Sequence, residues 1–200
     1  MGMRPVVVVL AAGLGQRFLG AGHKLHQELD GAPLLAQTLK NAMASGLRVL
    51  VVTREDLRPI VDGFVAAHDV LTLPEKDSKG RPSPVGMGHS LAAGVAASGD
   101  ADGWLVVPGD MPLIQPRTIQ AVAQSLHEHP IAYAEYRGQR GHPVGFGPEL
   151  YSELVGLQGD DGARRLLARF PSQGVAVDDP GVLIDVDTVA DLARVRSLRS

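Results

Sequence analysis

Apolar residues in this chain arrive in short unbroken runs. Val6 to Leu10, Val49 to Thr53, Val70 to Leu73, Trp104 to Val107 and Ile131 to Ala134 are each four or five residues long and rich in β-branched side chains. A strand covered on one face alternates apolar and polar, whereas a strand covered on both faces is apolar throughout. These runs therefore predict parallel strands with helices on both sides. Between them the spacing changes to that of helices. "PLLAQTLKNAMASG" carries Pro33 near its start and Gly46 just past its end, the asymmetry expected of a helix. "GHSLAAGVAAS" and "PRTIQAVAQSLHEH" follow later strands in the same way. Strand and helix alternate, so the expected class is α/β with a mostly parallel, doubly wound sheet in three layers.

The pattern shifts after Pro130. "AEYRGQRGHPVGFGPEL" predicts two short strands around a glycine-rich turn, then a helix from about Pro148. A helix over Asp161 to Arg169, a strand over Gly174 to Val177, a late strand in "VLIDVDT" and a final helix over Val189 to Leu198 complete the expectation. We expect one domain over residues 1–200, with a small peripheral lobe within 133–180.

Composition narrows the function classes. With 44% apolar and 20% charged residues the chain has the balance of a globular protein rather than a disordered one. A net charge of −3 gives no basic footprint for nucleic acid. The absence of cysteine excludes thiolate metal sites and a cysteine nucleophile. No apolar run reaches the roughly 18 residues of a spanning helix, which predicts no membrane association. The N-terminal apolar run is too short for a signal peptide and lacks a small-residue cleavage site, so the expected setting is cytoplasmic.

Chemistry concentrates where strands end, because ligands of open parallel sheets bind beyond the carboxyl ends of the strands. After the first strand come Leu10, Ala11, Ala12, Gly13 and Gly15, small enough for backbone amides to approach an anion. Arg17 and Lys24 follow as phosphate-neutralising charges. The loop is not a Walker loop, which ends in Gly-Lys-Ser/Thr. Nor is it a dinucleotide fingerprint, since Phe18 stands where the third glycine belongs, and this disfavours an oxidoreductase. In "VVPGDMPLI", Asp110 directly follows a strand, where a carboxylate can hold Mg²⁺ against a phosphate. In "LIDVDTVADL", strand alternation puts Asp185 and Asp187 on one face, with Asp187 or Thr188 able to cap the next helix. "PVGMGHSLAAGV" places Gly86, Gly88 and Ser90 at a helix start. "GQRGHPVGF" gathers Arg140, His142 and Pro143 before a short strand. No Ser-His-Asp order or His-x-x-x-His spacing points to hydrolysis or zinc.

Six motifs in order, "LAAGLGQRF…K", "GMGHSLAAGV", "PGDMPLI", "RGHPVGF", "GDDGARRLL" and "IDVDTVADL", resemble the nucleotidyltransferases of the molybdenum cofactor family, most closely the cytidylyltransferase branch. The resemblance runs from Val6 to Leu192. It implies a Rossmann-like, GT-A-like fold, Mg²⁺ as cofactor, and transfer of a nucleotidyl group from a nucleoside triphosphate to a phosphorylated acceptor such as molybdopterin. Carried over by position, Leu10 to Gly15 form the nucleotide loop, and Arg17 and Lys24 face the triphosphate. Gly86, Gly88 and Ser90 help surround the base. Asp110 is the principal magnesium ligand and Asp187 the second. Arg140, His142 and Pro143 lie on the acceptor side. A molybdoenzyme or its chaperone is the implied transient partner.

One departure matters. The family places lysine five residues after arginine, as in Arg-Met-Gly-x-x-Lys, whereas here Arg17 and Lys24 are seven apart, with Phe18 replacing the methionine. "LAAG", rather than the "LAGG" of the guanylyl branch, favours CTP over GTP, since a methyl at Ala12 crowds the larger base. A guanylyltransferase, a methylerythritol phosphate cytidylyltransferase, a sugar-phosphate nucleotidyltransferase and a non-catalytic nucleotide-binding module are the competing readings.

Overall fold

The computed structural model describes residues 4–13, 18, 22–76, 80, 83, 86–159 and 162–198. Strand β1 (Val6–Leu10) is followed by a small antiparallel ribbon of β2 (Glu28–Leu29) and β3 (Ala32–Pro33). Asp30 and Gly31, both at positive φ, turn the ribbon as a two-residue hairpin requires. Then come α1 (Leu34–Ala44), β4 (Arg48–Thr53), the single turn α2 (Arg58–Val61), β5 (Val70–Thr72), α3 (Met87–Ala97), β6 (Trp104–Pro108) and α4 (Pro116–Ser125). The hairpin β7 (Ile131–Tyr136) and β8 (Gln139–Phe146) precedes α5 (Tyr151–Val155), α6 (Gly162–Arg169), β9 (Ser172–Ala176) and α7 (Val189–Ser197).

Seven of these strands form one sheet in the order β5-β4-β1-β6-β8-β7-β9. β1, β4, β5 and β6 are mutually parallel, β7 and β9 pair in parallel, and β8 runs antiparallel to both β6 and β7. The strands between Ile131 and Ala176 thus extend the main sheet.

The unbroken valine run has the cause expected of it. Val7 and Val9 pack with Leu35 and Leu39 of α1, Ile119 and Val122 of α4, and Leu192 and Val195 of α7. Val6 and Val8 pack with Leu91 and Val95 of α3, Leu154 of α5 and Leu166 of α6. Alternate residues of one strand therefore feed two separate cores, giving the three layers.

Register fixes where the working edge lies. Leu10 is level with Val52 of β4 and Pro108 of β6, so the loops after β1, β4 and β6 leave the sheet together. Because β8 is reversed, with Val144 opposite Val106, its first residues, Gln139 to His142, arrive at that same edge.

The expected late strand is not one. Pro180–Leu183 is a 3₁₀ turn, and residues 184–187 join no strand ladder, Val186 N–H donating to Asp110 O at 2.9 Å. Pro180 has no amide to give a ladder, and Asp179 caps the turn by accepting from Gly181 N–H. Alternation survives locally, since Val186 is fully buried. Among the described residues, no helix is long and apolar enough to cross a membrane.

Helix α3 lies unusually close to the sheet. A Cβ at Gly94 would stand 2.7 Å from Val8 Cγ1 and 2.9 Å from Val52 Cγ2. Gly94→Val should overpack this contact and cost about 2 kcal/mol or more in urea denaturation, whereas Ala97→Val, on the exposed side of the same helix, should cost under about 1 kcal/mol.

Candidate active site

β6 hands its chain directly into the site. Gly109 N–H donates to Leu10 O at 2.8 Å, and a Cβ at Gly109 would meet that oxygen at 3.0 Å, so the exit from β6 is pressed against the end of β1. The turn is held from below by α1, where Thr38 Oγ1 donates to Gly109 O at 2.8 Å and Asn41 Nδ2 to Pro112 O at 2.9 Å. Asp110 is thereby aimed over the carboxyl ends of β1 and β6.

A second carboxylate is brought to the same place by a buried third one. Asp179, 1% exposed, accepts from Gln115 N–H at 2.9 Å and Thr118 Oγ1 at 2.7 Å through one oxygen, and from Gly181 N–H at 3.0 Å through the other. It so caps α4 from a distant segment and pins the 3₁₀ turn to it. The turn lies close enough on its neighbours that a Cβ at Gly181 would clash with Leu113 O, and one at Gly141 with Val182 O. Beyond it, Thr188 and Asp191 form a capping box at the start of α7. Asp191 Oδ2 accepts from Asp187 N–H at 3.2 Å as well as from Thr188 N–H and Oγ1, so the box also holds the backbone of Asp187. The Thr188 hydroxyl keeps the Asp191 carboxyl below its ordinary value, against a small opposing effect of burial.

The third member is Lys24. Its Nζ lies 2.5 Å from Asp110 Oδ2 and 2.7 Å from Asp187 Oδ1, and the three side chains are only 12%, 17% and 16% exposed. Burial opposes the lysine's charge, but the two carboxylates outweigh it and raise its pKa above the ordinary value, so it is an ammonium at neutral pH. Asp185 stands nearby. Burial raises its pKa, and the negative charges of Asp187 and Asp110 add to that rise. Asp110 Oδ1 is buried and has no hydrogen-bond partner among the described residues.

Two carboxylates that already grip one cation, with a further buried oxygen free of donors, are hard oxygen donors suited to a divalent ion. Among the described residues no group of three or more metal-ligating side chains gathers. The pair therefore suits an ion that takes its other ligands from phosphate and water.

The remaining candidate residues surround this centre unevenly. Leu10 ends β1, Ala11 is buried with its N–H on Val52 O at 2.7 Å, Ala12 is half-buried, and Gly13 is exposed. Gly15 and Arg17 lie outside the described residues. Gly86, at φ +126°, is the N-cap of α3, and Ser90 is buried in that helix with its N–H on Gly86 O. Gly88 N–H is taken by Gly159 O at 2.7 Å, and a Cβ at Gly88 would clash with that carbonyl at 2.6 Å. At Gly88 the backbone of another segment makes the close approach. Arg140 is exposed and stacks its guanidinium 4.6 Å from the Tyr133 ring centre. Pro143 is buried behind a cis bond from His142. Burial holds the His142 imidazole below its ordinary value despite the Val106 backbone and the charge of Asp110, so it is neutral at pH 7.

Three residues that shape the site carried no functional signal in the sequence. Asp179 stands in a loop segment, and Thr38 is one polar position in α1. The third is His23, whose Nε2 lies 2.9 Å from Gly13 O. Only the Thr188-x-x-Asp191 spacing could have been read in advance, as a capping box. Asp179→Ala leaves three donors in or near the core without an acceptor and should cost about 2–4 kcal/mol in urea denaturation, while the exposed Asp178→Ala should cost under about 1 kcal/mol.

The profile of the MobA-like NTP transferase domain matches residues 7–176. Purine catabolism protein PucB of Bacillus subtilis is 31% identical over 201 residues, covering 96% of each chain. The crystal structure of Rv0371c from Mycobacterium tuberculosis superposes with a TM-score of 0.79 at 26% identity over 97% of this chain and 98% of that one. The same protein has been solved in complex with manganese, with a TM-score of 0.73 at 25% identity and the same coverage. A nucleotidyl transferase from Methanothermobacter superposes with a TM-score of 0.79 at 25% identity over 99% of both chains.

Proposed function

Because the chain belongs to the MobA-like NTP transferase family and is a nucleotidyltransferase, we propose that it transfers a cytidylyl group from CTP to a phosphorylated acceptor of the molybdopterin kind, with Mg²⁺ held by Asp110 and Asp187. The observation that carries this reading is the meeting of Lys24, Asp110 and Asp187 at the carboxyl ends of β1 and β6. The triphosphate lies along the loop from Leu10 to Gly15. Lys24, with Arg17, neutralises its β- and γ-phosphates. Gly86, Gly88 and Ser90 flank the base.

The reaction is a displacement at the α-phosphorus. An oxygen of the acceptor phosphate forms the new P–O bond, the α–β bridging bond breaks, and its electron pair leaves with pyrophosphate. The nucleophile is an ionised phosphate oxygen at neutral pH, so no side chain has to remove a proton. This agrees with a neutral His142 and with the lack of a nucleophile–base pair in the sequence. What the chain must do is align two anions that repel each other and balance their charge. Lys24 supplies one full positive charge from a side chain whose burial keeps water from screening it. Arg140, splayed on Tyr133 at the start of β8, meets the acceptor phosphate. A bound divalent ion supplies Lewis-acid polarisation of the α-phosphate and a template for the triphosphate. Ala12 supports CTP, since a methyl at that position would crowd a purine more than a pyrimidine.

A matrix of CTP, GTP, ATP and UTP against molybdopterin, methylerythritol phosphate and hexose 1-phosphates, read by pyrophosphate release with Mg²⁺, tests the assignment. CTP with molybdopterin should react fastest, and Asp110→Asn should lower that rate about 10³-fold at an unchanged melting temperature. Wild-type turnover in Asp110→Asn would remove the carboxylate from the mechanism.

Lys24 gives a second test with two opposed readouts. Its ammonium and a divalent ion compete for the same carboxylate oxygens. Lys24→Met should therefore bind Mn²⁺ about tenfold or more tightly in the absence of nucleotide, seen by electron paramagnetic resonance, while turnover falls. A variant that loses turnover without gaining Mn²⁺ affinity would contradict the competition.

A further inference from the structure

Between Arg17 and Lys24 the chain is two residues longer than the Arg-Met-Gly-x-x-Lys spacing it resembles, and the structure shows how the residue before Lys24 is fastened. We propose that His23 is a positioning residue that locks the nucleotide loop and Lys24 into one register, an assignment that rests on the nucleotide-binding role proposed for Gly13 and Lys24.

The His23 ring is used on both sides. Its Nδ1 accepts from Leu25 N–H at 3.2 Å, as the N-cap of the 3₁₀ turn Lys24–His26. A nitrogen that accepts has no proton, so the neutral ring carries its proton on Nε2. Nε2 is therefore the donor to Gly13 O, 2.9 Å away. One half-buried imidazole thus closes a ring of backbone between residues 13 and 23 and fixes the turn that begins at Lys24.

Anchors on either side make this clasp effective. Leu25, 2% exposed, and Phe18, 7% exposed, are both embedded in the core shared by α1, α4 and α7. Gln27 N–H closes the turn on Lys24 O at 3.2 Å. With its backbone held there, Lys24 reaches both Asp110 and Asp187. Without the bond to Gly13, the same turn would still be capped, but the loop that approaches the triphosphate would no longer be set relative to the ammonium. His23 touches neither carboxylate in the bonds that define the centre, and it acts through the two segments it joins.

The two halves of the ring can be separated by substitution. The Oδ1 of asparagine falls about where Nδ1 sits, so His23→Asn keeps the cap and loses the reach to Gly13. The terminal amide of glutamine falls about where Nε2 sits, so His23→Gln keeps the donor to Gly13 and loses the cap. Calorimetric titration of wild type and both variants with CTP and with GTP in the presence of Mn²⁺ distinguishes the roles, with thermal melting recorded on each. We expect His23→Gln to bind within about twofold of wild type and His23→Asn about tenfold more weakly, with both variants folded. The reverse order, with asparagine sufficient, would make His23 a helix cap and nothing more. Equal binding by all three proteins would overturn the clasp alone. If wild type binds neither triphosphate, the nucleotide reading itself falls and the clasp with it.

Discussion

A single ammonium shared between two carboxylates is the interaction around which this fold is arranged. Lys24, Asp110 and Asp187 come from the first loop, the middle of the chain and the segment before the last helix, and each is largely removed from water. The opposite charges offset one another's lost hydration in a place that water reaches only in part. Each is also held by a neighbour that would otherwise be unremarked. α1 supports Asp110 from beneath through Thr38 and Asn41, the capping box of α7 holds Asp187 by its backbone, and the cap at His23 sets the turn that carries Lys24.

Buried aspartates serve two purposes here, and their partners tell them apart. Asp179 has both oxygens filled by neutral donors from three residues, so it is a fastener whose charge is spent within the fold. Asp110 has one oxygen on an ammonium that can be displaced and the other buried without a donor. The first arrangement ties the segment 178–188 to α4. The second leaves a carboxylate with capacity for another positive partner.

The sheet could be read from the chain because its cause is local. Runs such as Val6 to Leu10 state their own burial on both faces, and the helices between them have periodicity and end signals of their own. Asp110 was legible for a related reason, since a carboxylate just beyond a buried strand can only stand at the sheet's edge. The run "VLIDVDT" misled because its composition is that of a strand, yet its first two residues close the 3₁₀ turn that Pro180 and the Asp179 cap begin, and the residues after them join no ladder. Composition does not record whether a neighbouring edge is available for pairing. The convergence of Lys24 on both aspartates was beyond local reading altogether, as it depends on contacts 86 and 163 positions apart.

The reversed strand β8 has a bearing on how such a chain can diverge. It enters the sheet from the working edge through the exposed turn at Arg137 and Gly138, both at positive φ, and then settles between β6 and β7. Side chains on a strand alternate faces, so a hairpin lengthened by one residue on each arm extends outward without altering which residues face which core. The half of the edge formed by β1, β4 and β6 is untouched by such a change. A lineage could therefore remodel what stands opposite the Lys24 centre by inserting at one turn, and keep the valine-lined half of its sheet unchanged.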